Sequence, residues 1–466
     1  MGGIFKAYDV RGVYGEGLDE TIAGRIGLAF QHVLDEKDRR GGRVVVSRDM
    51  RSHSEPLSEA LTEGLLASGL DVVDIGLATT PMSYFAVGHL GAAGGIQVTA
   101  SHNPGRYNGF KFSLREARPV SGDHGIPRLE QAVAEGDLPR GRVRGRRDDA
   151  DVFEAYSAHV LAHLRGGPAP APSGGGMPFP LGGGMPFSLK VAVDAANGMG
   201  TLYRPILERM GIELEPLYFE LDGTFPHHEA NPLKLENLRD LVAKVRGTGA
   251  RLGIAFDGDA DRAAFVDERG EPVGSDLMTG LIAGSLLDRG GPSTIVYDLR
   301  SSRAVAESVR EHGGTPLRER VGHSFIKATL RAHDGVFGGE LAGHYYFRDN
   351  YFADSSLMAV VEVLNLLRET GKPLSELVRP LARYAKSPEI NFEVEDKEGK
   401  MEEIVRRFSD GELDRLDGIT VQYPDWWFNV RPSNTEPYLR LVMEADTDEM
   451  LAQRQAELVG LLGEPV

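Results

Sequence analysis

The sequence predicts an α/β protein of several domains that ends in a smaller α+β domain. Three observations carry that prediction. The chain has 466 residues, far more than one hydrophobic core organises, and at roughly 100–200 residues per domain it divides into three or four. Through its first two-thirds, short β-branched runs alternate with longer amphipathic stretches, the pattern of βα units around mostly parallel sheets. A composition shift near residue 370 then opens a segment of strands closed by a helix. Boundaries are expected near 150, 251 and 371, giving domains 1–150, 151–250, 251–370 and 371–466.

In chain order, strands are expected at 43–47 (RVVVS), 70–75, 95–100, 189–194, 252–256 and 294–298. Amphipathic stretches at 55–68, 202–210 and 355–367 read as helices between them. GKPLSELVRP begins the last domain, with strands at 426–431 and 440–444 and a helix from Thr447. Residues 166–188 break the pattern: GGPAPAPSGGGMPFPLGGGMPFS carries GGGMPF twice and is too rich in Gly and Pro to build a core. It reads as a mobile surface insertion, with a partner-docking tag as the alternative.

Composition narrows the function. Apolar residues at 41% and charged residues at 26% exclude global disorder. Sixty-nine acidic against 52 basic side chains, a formal charge of −17, argue against nucleic acid or an anionic membrane as the main partner. An anionic substrate would need a local basic focus. The absence of cysteine excludes disulfides, thiolate nucleophiles and cysteine-ligated zinc. MGGIFKAYDVRG has no apolar h-region, Lys6 stands where a myristoylation signal needs Ser or Thr, and no stretch reaches the ~18 apolar residues of a membrane span. A cytoplasmic protein is expected.

Four loops concentrate chemistry. VTASHNP (98–104) ends an apolar strand and presents Ser101 at a strand's C-terminal end, where α/β folds place ligands; read locally, SHNP is also an ordinary turn. No GxSxG elbow surrounds it, which disfavours a hydrolase serine. DGDADR (257–262) spaces Asp257, Asp259 and Asp261 at i, i+2 and i+4 after a buried strand, and such crowding is hard to tolerate without a cation. An EF-hand half fits, with Glu268 at the twelfth position, but Arg262 occupies the sixth, where that loop needs glycine. A hard divalent cation, Mg²⁺, is expected. GGELAGH (338–344) sets one Glu and one His among glycines, as a close-approach loop or a structural turn. RPSNTEPYLR (431–440) gathers guanidiniums, hydroxyls and an amide suited to a phosphate; the alternative is a polar hairpin. No Walker A loop is present, and NGMG (197–200) lacks the third glycine of a dinucleotide fingerprint.

Together, in this order, these loops resemble the α-D-phosphohexomutases, most closely the bacterial phosphomannomutase/phosphoglucomutase branch. The resemblance runs over nearly the whole chain: AYDVRG (7–12), SRDMR (47–51), TASHNP, NGFK (108–111), DGTFPHHEANP (222–232), DGDADR, VGHSFIK (321–327), GGELAGHYYF and WWFNVRPSNTEP. It implies a heart-shaped protein of four domains, three similar mixed α/β domains and a smaller α+β C-terminal domain, each contributing to an active-site cleft. A hinge before the fourth domain would let that cleft close.

The resemblance also implies roles. Ser101 would carry the phosphoryl group, and Asp257, Asp259 and Asp261 would hold Mg²⁺ with an oxygen of the Ser101 phosphate. Glu340 would read sugar hydroxyls, and Arg431, Ser433, Asn434, Thr435 and Arg440 would hold the non-transferring phosphate. Tyr8, Arg11, Lys111, Arg262, Arg300, His323 and His344 match positions lining the site. Lys111, with a cation-depressed pKa, is expected as general base, His344 as complementary acid/base, and His102 as a phosphate contact. Partners would be hexose phosphates, with a hexose 1,6-bisphosphate as intermediate and activator, in a monomer or dimer. Two departures stand out: Ala342 replaces the family's usual serine, and Arg300 a common lysine. Phosphoglucosamine mutase is the alternative within the class, but its sugar loop usually reads GEQSGH. A non-catalytic sugar-phosphate sensor would not need Ser101 and all three aspartates.

Overall fold

The computed structural model describes residues 3–6, 8–39, 42–120, 125–165, 189–433 and 438–466; the Gly/Pro-rich insertion therefore lies outside the described residues. The chain forms two compact units, residues 1–274 with 342–377, and residues 275–341 with 378–466.

The first unit contains two sheets. In the first, spatial order runs Asp9–Val13, Tyr107–Leu114, Gly94–Val98, Arg43–Arg48, Asp71–Leu77, Arg147–Asp149, and Arg118–Pro119 pairs with Tyr107–Leu114. The inner strands are parallel, and Tyr107–Leu114 runs antiparallel to both of its main neighbours. Val44, Val45 and Val46 are all fully buried, as a parallel strand covered on both faces requires. The helices Glu20–Ala29 and Ser54–Ser68 meet backbone to backbone: a Cβ on Gly27 would lie 2.2 Å from the Leu61 carbonyl oxygen. The strand expected over 95–100 stops at Val98, because the chain turns there toward Ser101.

The second sheet runs Pro272–Val273, Ala263–Val266, Leu252–Phe256, Leu189–Asp194, Ile212–Leu217. The boundary expected near 251 falls just before Leu252–Phe256, a strand that pairs in parallel with Leu189–Asp194. DGDADR therefore belongs to this sheet. It joins two antiparallel strands, Leu252–Phe256 and Ala263–Val266, which removes the EF-hand alternative, since that loop joins two helices. The helix expected over 202–210 divides into a 3₁₀ turn, Met199–Tyr203, and an α-helix, Arg204–Arg209. Pro205 fits the first turn of the second piece, where its missing N–H costs nothing. A hairpin, Tyr345–Phe347 with Ala353–Asp354, and the helix Ser356–Thr370, N-capped by Ser355, complete the unit.

In the second unit, Thr294–Asp298 is flanked in parallel by Thr315–Glu319 and Phe337–Gly339. Helices Ser275–Gly290, Arg303–Glu311 and His323–Ala332 accompany these strands. The C-terminal sheet orders Ala385–Lys386, Tyr438–Ala445, Trp426–Pro432, Ile419–Gln422, Glu412–Asp414, with Ile390–Glu393 also on Tyr438–Ala445. Each pairing in it is antiparallel. Phe428, Val430, Leu439 and Leu441 fill its core with Leu458 of the closing helix. No described helix is long and apolar enough to cross a membrane.

Candidate active site

The first unit brings the Ser101 turn against the aspartate loop. Ser101 has a φ of 51° and is buried; holding a non-glycine residue in this left-handed region costs about 1–2 kcal/mol. Arg51 maintains the turn. Its buried guanidinium donates to the carbonyl oxygens of Ser101 (2.8 Å), Asn103 (2.7 Å), Pro104 (2.9 Å) and Tyr107 (3.0 Å) and pairs with Asp49. Gly258 is the point of contact: a Cβ there would stand 2.3 Å from the Ser101 carbonyl oxygen. Only glycine allows the two loops to approach this closely.

Ser101 Oγ donates to Asp257 Oδ2 at 2.8 Å and lies 3.3 Å from His102 Nδ1. Asp257, Asp259 and Asp261 are all buried, and an oxygen from each lies within 4.8 Å of the others. Asp257 Oδ1 accepts the backbone N–H groups of Asp261 and Arg262. Asp259 Oδ2 accepts from Thr80 Oγ1 (2.6 Å) and Lys111 Nζ (2.7 Å), and Lys111 also reaches Asp261 Oδ2 at 2.5 Å. Tyr203 and Ser356 donate to the Ala260 carbonyl from behind.

This donor set fits a hard divalent cation. Oδ1 of Asp259 and Oδ1 of Asp261 are buried without a hydrogen-bond partner, and oxygens left so are what such an ion takes up. Burial, then Asp261 and Asp259, push the pKa of Asp257 well above the carboxylate range, so Lys111 alone does not balance the three carboxylates. The depressed pKa expected for Lys111 is corrected here. Burial lowers it, but Asp259 and Asp261 outweigh burial and raise it well above the ordinary value, because its nearest charges are carboxylates rather than cations. His102 is neutral at working pH, its pKa pushed well down by burial and then by Arg262 and Arg11.

Arg11 reaches the Ser101 turn, and Arg262 and His344 reach the aspartate loop. Arg11 donates to Asn103 Oδ1 and Asp9 Oδ2, each at 2.6 Å. Arg262 Nε donates to His344 Nε2 at 3.0 Å, and His344 Nδ1 lies 3.1 Å from Asp354 Oδ2. These two contacts assign the imidazole proton to Nδ1, toward Asp354, and leave Nε2 as the acceptor of the Arg262 N–H. Tyr8 is half-buried just before the first strand.

The second unit holds the remaining described candidates, of which Arg300, Arg431 and Arg440 share one carboxylate, Glu389. Arg300 is buried and held bidentately by Asp298, with Nε–Oδ1 at 3.2 Å and Nη2–Oδ2 at 2.8 Å. Asp298 Oδ2 also accepts the Leu341 N–H at 2.7 Å, which fixes the chain beside buried Glu340. His323 opens the helix His323–Ala332. Arg431 and Arg440 are partners across the two long C-terminal strands, and Ser433 N–H bonds the Tyr438 carbonyl. Asn434 and Thr435 lie outside the described residues.

Sequence reasoning missed Arg51, Thr80, Asp298, Asp354 and Glu389 as builders of these clusters. The first was visible inside SRDMR, and Asp298 two residues before Arg300 was a legible pairing signal. Thr80, Asp354 and Glu389 carry no local signature; only the tertiary fold delivers them.

The fold and these two clusters define a multi-domain α/β enzyme of phosphoryl transfer. Family models described as phosphoglucomutase/phosphomannomutase α/β/α domains I, II and III match residues 2–140, 185–270 and 274–384, and the C-terminal domain of the same family matches 389–461. The chain is 37% identical over 464 residues to phosphohexose mutases of Xanthomonas campestris pv. campestris (strain B100), covering 98% of each. It is 37% identical over 472 residues to a phosphomannomutase of Escherichia coli (strain K12), covering 99% of each. Its structure matches a phosphoglucomutase/phosphomannomutase family protein from Burkholderia thailandensis with a TM-score of 0.86 at 35% identity, over 98% of this chain and 96% of that one. The chain belongs to the phosphoglucomutase/phosphomannomutase family, whose members are intramolecular phosphotransferases.

Proposed function

We propose that this enzyme interconverts hexose 1- and 6-phosphates by passing a phosphoryl group through Ser101. The observation that carries the proposal is the buried Ser101 hydroxyl, 2.8 Å from Asp257 and beside two carboxylate oxygens that lack partners. Asp257, Asp259 and Asp261, with an oxygen of the Ser101 phosphate, would hold Mg²⁺, which supplies neutralising charge to the phosphoryl group.

In the forward step the bond between phosphorus and Ser101 Oγ breaks as a bond from phosphorus to the free sugar hydroxyl forms, giving a hexose 1,6-bisphosphate while the freed Ser101 oxygen takes up a proton and returns to the hydroxyl that donates to Asp257. The hydroxyl proton goes to His344 Nε2 once Arg262 Nε, which donates to it in the absence of substrate, gives up that bond to the substrate, with Asp354 holding the proton on Nδ1. After the intermediate turns over, its other phosphate returns to Ser101 and the proton to the vacated sugar oxygen. Lys111 and Arg11 counter the charge of the transferring group, with His102 as a neutral contact. Arg431, Ser433, Asn434, Thr435 and Arg440 hold the other phosphate, Glu340 reads hydroxyls, and Arg300, His323, Arg262 and Tyr8 line the sugar.

Ala342 offers no hydroxyl, so Glu340 is the one obvious sugar reader in its loop. Glucose and mannose differ only at carbon 2, and a site with no buried group reading that carbon cannot reject either epimer. A coupled assay on glucose 1-phosphate, mannose 1-phosphate and glucosamine 1-phosphate tests this. The two hexoses should agree in kcat/KM within about tenfold, ~1.4 kcal/mol, and glucosamine 1-phosphate should be poorer because its ammonium meets a site not built for it. A thousandfold preference for either hexose, roughly 4 kcal/mol, would mean that another residue reads carbon 2.

A further inference from the structure

The arginines proposed for the non-transferring phosphate already hold an anion of the chain itself. Glu389 lies one residue before the strand Ile390–Glu393. Its Oε2 accepts from Arg431 Nη2 at 2.9 Å and from Arg300 Nη1 at 3.4 Å, and its Oε1 accepts from Arg440 Nη1 at 2.9 Å. One half-buried carboxylate thus joins three guanidiniums that reach it from separate strands and loops. Burial raises the pKa of Glu389, but Arg300, Arg431 and Arg440 outweigh burial and hold it at about 2. It is an anion throughout the working pH range.

A carboxylate only partly imitates a phosphate. It presents two oxygens and one charge, where a phosphate monoester presents three terminal oxygens and about −1.5 to −2. Arg431 Nε remains buried without a hydrogen-bond partner, a donor that Glu389 does not reach and a third oxygen would. Asp298 occupies the other side of Arg300, so Glu389 is the carboxylate that Arg300, Arg431 and Arg440 share.

We propose that Glu389 is a built-in substitute anion for this phosphate site, displaced from Arg431 and Arg440 by an incoming phosphate, and that it holds phosphate affinity low enough for release. The inference rests on the phosphate site assigned under the proposed function. That function gives the weak grip its purpose: a bisphosphate must let go by one phosphate and rebind by the other. With Asp298 committed to Arg300, Arg431 and Arg440 without Glu389 would meet a dianion with less opposing charge and hold it more firmly.

The test uses the full chain carrying Ser101→Ala, which cannot turn over, titrated calorimetrically with glucose 1-phosphate. Adding Glu389→Gln keeps the shape of the side chain and removes its charge, and binding should tighten roughly tenfold. In the chain with Ser101 intact, Glu389→Gln should lower KM and kcat together, because release slows. A brace that merely keeps the arginines in place gives the opposite sign, weaker binding and a raised KM; that result, or an unchanged Kd, overturns the proposal. Glu389→Asp covers the case in which the glutamine variant fails to fold. It retains the charge but withdraws it by one methylene, so binding should tighten by a smaller factor, and weaker or unchanged binding again overturns the idea. Arg431→Ala separates the two levels of the argument. Glucose 1-phosphate binding that ignores Arg431→Ala refutes the phosphate-site assignment and takes the Glu389 proposal with it.

Discussion

The aspartate cluster of the first unit and the arginine cluster of the second are opposites in charge and alike in construction. Each crowds three groups of one sign around a side chain of the other: Lys111 among Asp257, Asp259 and Asp261, and Glu389 among Arg300, Arg431 and Arg440, where Asp298 also pairs Arg300. They differ in how firmly they are held. The aspartates are buried and braced by Thr80, Tyr203, Ser356 and the Arg51-supported turn, whereas Glu389 and Arg440 are half-buried. A rigid interior suits the region where bonds change, since transition-state charge is best met by groups that do not reorganise. A looser one suits the region that must take up and release a phosphate.

The largest effect should come from breaking the aspartate cluster. Asp259→Asn removes a carboxylate oxygen from the proposed Mg²⁺ site and should cost roughly 10³-fold in kcat/KM, about 4 kcal/mol. Mg²⁺ should raise the Tm of the wild-type chain and leave that of the variant unchanged; equal shifts would place the metal elsewhere. Next comes the brace. Arg51→Met leaves buried Asp49 without its charge partner and removes the guanidinium donor from four carbonyl oxygens, and should lower unfolding free energy by about 3–5 kcal/mol in denaturant titration. A loss below ~1 kcal/mol would show that the Ser101 turn holds itself. The smallest effect belongs to the arginine region. Arg431→Ala loses a charge-assisted contact of roughly 1.5–3 kcal/mol, about 10- to 150-fold in kcat/KM, with Mg²⁺ dependence intact. A change in metal dependence would mean that the two regions are not separable in this way.

The same contrast explains what the sequence made legible. The aspartate loop could be read because its three carboxylates are local, at i, i+2 and i+4 behind an apolar run, and its strand at Leu252–Phe256 lies where alternation placed it. The arginine region was half legible: Arg431 and Arg440 share one hairpin, but Glu389 reaches them from 42 and 51 residues away. Lys111 was found for its position and misread for its charge state, since spacing to Ser101 says nothing of the carboxylates that Leu252–Phe256 brings alongside. The pairing of Leu252–Phe256 with Leu189–Asp194 was not legible for a related reason: it is parallel and spans a crossover, and no local signal records it.

The central claim is that the phosphoryl group passes through Ser101. It is tested most directly by a single turnover. Protein whose intact mass shows one phosphoryl group is mixed with a slight excess of glucose 1-phosphate and Mg²⁺, quenched at intervals and digested. The account predicts that phosphate leaves the Ser101 peptide as quickly as hexose bisphosphate forms, and that Ser101→Ala carries no such phosphate and turns over at least about 10⁴-fold more slowly. With the Ser101 phosphate isotopically labelled, label that stays on Ser101 while glucose 6-phosphate accumulates, or full activity in Ser101→Ala, would contradict it.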